Sequence, residues 1–284
     1  MAAGSPPGPR ATTEAGARLL LATKWLDRAQ LLFDRARSEL VASLASDEVL
    51  DRFNDLVYTG AQGYDPSAPG FRSYLFPWEE QVIERYFPAP PARVLVGGGG
   101  SGRETFALLD LGYEVTMFDP SEGLLTLMGK GLKPGLPVEV YRGAYEALPL
   151  LHEVDPQGGT RSLQEFERFD AAMLGWGSFS HVRTTGQRIH ALRSFEQVTE
   201  GPIVVSFLQM GSRDRRLPAP LARLRDDLRA RRGRTRGDAF SIYIGFYHVF
   251  NEAEFRKLAG EAGLEVTHLS EERESWPHAV LSRR

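Results

Sequence analysis

The sequence predicts an α/β fold, a mostly parallel sheet with helices on both faces, preceded by an N-terminal helical extension. Three observations lead there. From Arg93 onward, short apolar runs alternate with stretches of helical periodicity. The first of those runs ends in four consecutive glycines, Gly97 to Gly100. The composition, 42% hydrophobic and 25% charged over 284 residues, is that of a chain that buries a substantial core.

Residues 1–15, rich in Ala, Gly and Pro, read as a flexible tail. Leu21, Trp25, Leu32, Ala36 and Leu40 then recur at helical spacing and give one apolar face. A second helix is expected over Asp47 to Val57, and a third over Trp78 to Tyr86. Between them lies a loop carrying Tyr64, Phe71, Tyr74 and Phe76. The breaker Phe87-Pro88-Ala89-Pro90-Pro91 closes this part, so residues 16–90 are expected to form a helical and aromatic lid, and residues 91–284 the main domain.

In that domain the expected order is strand Val94 to Gly97, a helix to Leu111, strand Tyr113 to Asp119 and a helix from Ser121. Strand Val138 to Arg142, strand Phe169 to Leu174, a helix over Thr184 to Val198 and strand Ile203 to Leu208 follow. Strands that alternate with helices pair in parallel and are covered on both sides. In an inserted segment, 210–248, a strand is expected from Phe240 to Tyr247. A helix from Asn251 to Ala262 and strands Leu264 to Leu269 and Ala279 to Leu281 end the chain.

Several chemistries are excluded or disfavoured. There are no cysteines, which removes disulfides, thiolate metal sites and cysteine nucleophiles. The six histidines form no metal-ligand spacing, so a metal-independent site is expected. Net charge is -3, and the cluster Arg229, Arg231, Arg232, Arg234 and Arg236 is flanked by Asp226, Asp227 and Asp238. It therefore reads as a solvated helix end and not as a nucleic-acid surface. No signal peptide or membrane span is recognisable, so a cytoplasmic protein with no membrane partner is expected.

The glycine run is the strongest chemical signal. A buried strand runs into Gly97-Gly98-Gly99-Gly100-Ser101-Gly102, a loop able to lie flat against a ligand because glycine has no Cβ. Ser101 and Glu104 have capping-box spacing. Asp119 ends the next strand, 17 residues after Gly102, where a carboxylate can accept hydrogen bonds from both hydroxyls of an adenosine ribose. The loop fits two cofactors, because Gly97, Gly99 and Gly102 also satisfy the GxGxxG spacing of dinucleotide-binding proteins.

Taken with its neighbours, this loop resembles that of the class I (Rossmann-like) S-adenosylmethionine (SAM)-dependent methyltransferases, and the resemblance extends from about Arg93 to Leu281. Gly98, Gly100 and Gly102 fill the family's GxGxG, with Gly99 between them. Val115 to Ser121, including Asp119 and Pro120, is similar to the ribose-binding strand and its following turn. Phe169 to His181, including Gly175 and Trp176, resembles the fourth strand and its substrate-side loop. Asn251 to Val266 resembles the last helix and the strand after it. The resemblance implies a mostly parallel seven-stranded sheet, SAM as cofactor and S-adenosylhomocysteine (SAH) as product.

Two positions depart from the pattern. Val96 stands where the family usually has an acid for the methionine ammonium, so Glu79 or Glu80 is the expected substitute. No acid follows the third strand in Arg142 to Glu146, which leaves the backbone of Ala144 and Tyr145 to meet the adenine.

His181 follows the fourth strand on the side where open α/β sheets hold ligands, and His248 sits in the aromatic run Phe240, Tyr243, Phe246 and Tyr247. These histidines are the acid/base candidates. Tyr64, Tyr74, Tyr243 and Tyr247 are the candidate aromatic walls for an acceptor. The expected activity is methyl transfer to O or N of a small organic molecule. The alternatives are an NAD(P)-dependent oxidoreductase, disfavoured by the absence of a Tyr-x-x-x-Lys pair, a SAM-binding module without catalysis, and a protein methyltransferase.

Overall fold

The structure, a computed structural model, describes residues 9–60, 64–66, 74–148, 152–153, 168–209, 227, 230, 233–271 and 276–284. Three helices come first, α1 (Pro9–Leu44), α2 (Asp47–Thr59) and α3 (Pro77–Tyr86). Then follow β1 (Arg93–Gly97), α4 (Arg103–Asp110), β2 (Glu114–Asp119), α5 (Glu122–Gly131), β3 (Val138–Arg142) and a two-residue β4 (His152–Glu153). The remainder is β5 (Ala171–Leu174), α6 (Thr185–Val198), β6 (Ile203–Ser206), β7 (Leu208–Gln209), β8 (Asp238–Ser241), β9 (Gly245–Phe250), α7 (Glu252–Glu261), β10 (Leu264–Leu269) and β11 (His278–Arg283).

The main sheet has the order β10-β11-β6-β5-β1-β2-β3-β4. The strands from β6 to β3 pair in parallel, while β11 runs antiparallel to both β6 and β10. The seven expected strands are all present, and the short β4 adds an antiparallel edge. Strand order reverses between β1 and β5, and open sheets of this kind bind ligands in the crevice at that switch point, beyond the carboxyl ends of the strands. Gly97, Asp119 and Leu174 all end their strands on that side.

Alternation along the strands sends side chains to two cores. Leu95 and Phe118 join Tyr145, Phe179, Phe195, Phe207, Phe250 and Phe255 on one face of the sheet. Val94, Val96 and Met117 join Leu108, Met128 and residues of α3 on the other. Helix α3 belongs to this second core through Trp78, Val82 and Ile83, so the lid expected over 16–90 gives up its last helix to the sheet.

The inserted segment departs from expectation. The single strand expected over Phe240 to Tyr247 is a hairpin, β8 and β9, with its turn at residues 242–244 and Gly245 at φ 73°. With β7 it forms a second, three-stranded sheet. Ala42, Leu50 and Phe246 form a third buried cluster that fastens the end of α1 and the side of α2 to this hairpin.

Helix α1 also differs from expectation. It starts at Pro9, within the stretch read as a tail, and the face marked by Leu21, Trp25, Leu32 and Leu40 is exposed. Of the arginine cluster, Arg229, Arg231 and Arg232 lie outside the described residues. Arg234 is not a solvated helix end; it is buried, paired with Asp47 and stacked over Phe246 at 4.9 Å.

Candidate functional site

The glycine loop turns sharply back onto β2. The N–H groups of Gly98 and Gly99 donate to the Phe118 carbonyl at 2.9 and 3.2 Å, that of Gly100 to Asp119 Oδ2 at 2.9 Å, and that of Gly102 to the Gly99 carbonyl at 2.9 Å. This path needs the left-handed region at Gly98, Gly100 and Gly102, with φ 64°, 56° and 96°, but not at Gly97 or Gly99. The set that requires glycine for its backbone is therefore the GxGxG set. Gly97 and Gly99 are needed for space instead, since a Cβ would meet the Phe195 and Tyr145 rings in one case and Met117 in the other.

The expected capping box is absent. Gly102 is the N-cap of α4, with no side-chain cap, and Glu104 turns to a different partner. The Arg103 guanidinium donates to both oxygens of Glu79, at 2.8 and 2.7 Å, to Glu104 Oε1 at 2.6 Å and to the Tyr74 carbonyl at 2.7 Å. It stacks over Phe76 at 4.2 Å, with Tyr74 and Trp176 further out. Glu79 is fully buried and also caps α3 by accepting the Phe76 N–H at 2.7 Å. Glu80, the other expected acid, faces solvent.

Glu104 was not among the expected residues. Its carboxylate lies against Gly175, where even a methyl group would come within 2.6 Å of it. Burial raises its pKa despite Arg103. Arg103 itself would be lowered by burial, but the hydrogen bond to Glu79 and the charges of Glu104 and Glu79 raise it. Two carboxylates share one guanidinium at the start of α4, so the Arg103 charge is fully engaged within the cluster. The signal for Glu104 was present in the sequence as an acid in the first helical turn after the glycines, but its spacing from Ser101 suggested a cap.

Asp119 is 6% exposed. Its Oδ1 accepts the Ser121 N–H at 2.8 Å and its Oδ2 the Gly100 N–H. Burial raises its pKa to about 6, with Asp55 contributing in the same direction and the two backbone N–H groups opposing. Asp55 comes from α2 and accepts from the Ser121 hydroxyl. Thr59 of the same helix closes on Gly123, so α2 covers the end of β2 and the start of α5.

Beyond β5 the chain passes through Gly175 and Trp176. Trp176 has φ 30°, a conformation that costs a non-glycine residue about 1–3 kcal/mol and concentrates at functional sites. The Gly177 N–H donates to Ser206 Oγ at 2.6 Å, fixing the loop to β6, and Tyr145 donates to Ser178 Oγ at 2.7 Å from beneath Gly98. Ala144 precedes Tyr145 and lies next to Asp119 through the Gly143 N–H, which donates to the Asp119 carbonyl at 3.1 Å.

His181 ends this segment. Its Nδ1 is 2.6 Å from the Phe246 carbonyl, and its Nε2 is 3.1 Å from the Tyr58 hydroxyl. A carbonyl only accepts, so Nδ1 carries the proton and Nε2 presents a lone pair. Burial lowers the His181 pKa, which favours this neutral form. Tyr58, which sequence reasoning missed, projects from α2 with its ring edge-on to Tyr64 at 5.4 Å. Burial raises the pKa of both phenols, that of Tyr64 to about 12. Tyr64 also feels the charges of Glu104, Arg103 and Asp119, so it stands between the two acidic parts of the site.

The second histidine candidate is placed differently. His248 is fully buried, with Nδ1 2.6 Å from Asp238 and Nε2 3.0 Å from Glu254. Asp238 also accepts from the buried Arg188 at 3.0 Å, and Arg188 donates to the carbonyls of Val182 and Arg183. Both nitrogens of His248 are thus occupied in a network that joins α6, the hairpin and α7. It steadies the strand whose Phe246 carbonyl holds His181, and it has no free nitrogen to offer a reactant. Of the aromatic candidates, Tyr64 and Tyr74 adjoin the loop and the Arg103 cluster. Tyr243 is at the exposed hairpin turn, and Tyr247 is on the face of β9 opposite His248. Among the described residues no group of side chains could hold a metal ion, and no helix is long and apolar enough to cross a membrane.

No family model matches this sequence, and no curated protein matches it. Solved structures do. A SAM-dependent methyltransferase from Methanosarcina mazei is 17% identical, with 74% of this chain and 98% of that one covered at a TM-score of 0.53. A SAM-bound amino pentose methyltransferase of Micromonospora echinaspora, involved in calicheamicin biosynthesis, is also 17% identical, with 72% and 89% covered at a TM-score of 0.50. At such identity the likeness is one of architecture, and the strand order, the glycine loop and the acid ending β2 agree with it: the chain has the Rossmann-like fold of class I SAM-dependent methyltransferases.

Proposed function

We propose that the chain binds SAM at the glycine loop and transfers its methyl group to O or N of a small organic molecule, releasing SAH. The observation that carries this reading is the charge beside the loop. A dinucleotide would bring its diphosphate to the start of α4, where Glu79 and Glu104 outnumber Arg103. Four of the loop's N–H groups are already used within the protein. That arrangement repels a diphosphate and attracts a sulfonium and an ammonium.

The residues present fit the cofactor. Each Asp119 oxygen accepts one backbone N–H and keeps acceptor capacity for a ribose hydroxyl. Glu104, beside Gly175, takes the role left vacant by Val96 at the methionine ammonium, while Glu79 holds Arg103 in place. Pro120 and the backbone of Ala144 and Tyr145 border the adenine. Bound SAM supplies a methyl group already activated on sulfur, so the protein's contribution is orientation and exclusion of water. Helix α2 excludes water over Asp119, and Tyr64 and Tyr74 give the acceptor aromatic walls, with Tyr243 and Tyr247 further along the hairpin. The acceptor's hydroxyl or ammonium gives its proton to the Tyr58 hydroxyl as Tyr58 passes its own to His181 Nε2, with Nδ1–H anchored on the Phe246 carbonyl.

Thermal unfolding with SAM, SAH and NAD(H), followed by labelled-methyl transfer to a panel of small acceptors, tests the proposal. SAM and SAH should raise the melting temperature, and His181→Ala should retain that rise while losing turnover. Stabilisation by NAD(H) alone would overturn it.

A further inference from the structure

Helix α1 is the one long element whose apolar residues find little cover among the described residues. Its C-terminal end docks through Ala42 and Ser43, with Ser38 Oγ accepting the Phe240 N–H at 2.9 Å. The residues that dock lie on one side of the helix. On the other side Leu19, Leu26, Phe33 and Leu40 recur every seventh residue and are all exposed. Ala22, Ala29 and Ala36 follow each of the first three by three residues and are exposed as well. This is an a/d heptad stripe with a large side chain at every a and alanine at every d, sustained over about 32 Å of helix.

The stripe indicates what covers it. In a parallel helix pair, a faces a and d faces d, so layers of two large side chains would alternate with layers of two alanines, leaving gaps. In an antiparallel pair a faces d, and each layer holds one large and one small side chain, which packs evenly. A second copy of the same helix supplies the complement in register: Leu19 against the partner's Ala36, Phe33 against the partner's Ala22, and Leu26 against the partner's Ala29. Trp25 then flanks the seam beside the partner's Leu32. Leu19, Trp25, Leu26, Leu32 and Phe33 are each between 65% and 69% exposed. Together they offer on the order of 700 Å² per chain, close to the ~800 Å² each partner gives to a stable interface. Such a contact is two-fold symmetric and closes as a dimer.

We propose that the chain is a homodimer in which α1 pairs antiparallel with α1 of a second copy across the Leu19-Ala22-Leu26-Ala29-Phe33-Ala36 seam. Sedimentation velocity of the full chain at micromolar concentration should give twice the 31.6 kDa chain mass. The Leu26→Glu, Phe33→Glu double variant should give half of that, with unchanged circular dichroism. The orientation is read independently of any loss of stability. The chain has no cysteine, so oxidation of a mixture of Leu19→Cys and Ala36→Cys variants should give the mixed disulfide, while Leu19→Cys alone should give none. A monomeric wild type, a double variant that stays dimeric, or a Leu19→Cys self-disulfide would each overturn the proposal. So would a wild type that remains monomeric and sediments with phosphatidylglycerol vesicles, since the stripe would then be a membrane-facing surface.

Discussion

Replacing Asp119 by asparagine separates cofactor binding from stability. Burial lifts the carboxyl from 3.8 to about 6, which corresponds to ~3 kcal/mol. A pKa raised on folding means that the group's stability contribution is complete below about 3.8 and is lost as pH rises through about 6. At pH 7 the folded chain therefore carries that cost. Asparagine removes it, but its amide nitrogen cannot accept, so the N–H of either Gly100 or Ser121 loses its partner at ~1–3 kcal/mol. The two effects nearly cancel, with a remainder of about 0–2 kcal/mol in favour of the variant. At ~2–4 °C per kcal/mol, the melting temperature at pH 7 should stay level or rise by several degrees. SAM at ~100 times its dissociation constant adds ~2.7 kcal/mol to the wild type, and Asp119→Asn should abolish most of that gain. The wild-type gain should itself decline as pH falls below about 6, where Asp119 takes up a proton. Differential scanning fluorimetry over pH 5–8, with and without SAM, reads all of this. An undiminished SAM shift in the variant, or a loss of several kcal/mol in its absence, would refute the reasoning.

Other substitutions probe neighbouring parts of the site. Gly98→Ala should unfold at clearly lower temperature, because a methyl group would lie 2.6 Å from the Tyr145 hydroxyl and 2.7 Å from Ser178. Gly100→Ala, whose nearest side-chain atom is Leu124 at 3.8 Å, should lose only ~1–2 kcal/mol to its positive φ yet fail to bind SAM. Arg188→Met removes the cation from a buried pair and should cost ~3–5 kcal/mol in urea unfolding while leaving the increment added by SAM intact. Because burial lowers the His181 pKa, turnover should be flat above about pH 6.5 and fall only at more acidic pH. Tyr58→Phe should reduce kcat with little change in the KM for SAM, and equal loss in both would show that Tyr58 serves the cofactor instead.

The elements that build the sheet were legible because their signals are local. Val94 to Gly97 is an apolar run, Val138 to Arg142 and Leu264 to Leu269 intersperse apolar with polar residues between breakers, and Ser121, Thr184 and Asn251 each cap the helix they precede. The hairpin at Phe240 to Tyr247 was misread as one strand because only Gly245, at φ 73°, marks the turn. Glu79 or Glu80 was expected as the acid for the methionine ammonium. The ion pair of Glu79 with Arg103 was not expected, since the two are 24 residues apart and meet only when α3 packs beside α4. His181 and His248 looked equivalent in sequence, and burial with two carboxylate partners distinguishes them.

By itself the sequence determined the fold class, the position of the glycine loop and the acid that ends β2, because each follows from contiguous residues obeying backbone geometry and strand alternation. Only the tertiary structure decided which glycines the backbone requires, that Glu104 reaches Gly175, that Tyr58 from α2 meets His181, and that the apolar stripe of α1 faces away from the body of the protein. Those relations depend on the angles at which distant elements pack, and a chain read one residue at a time does not contain them in any local pattern.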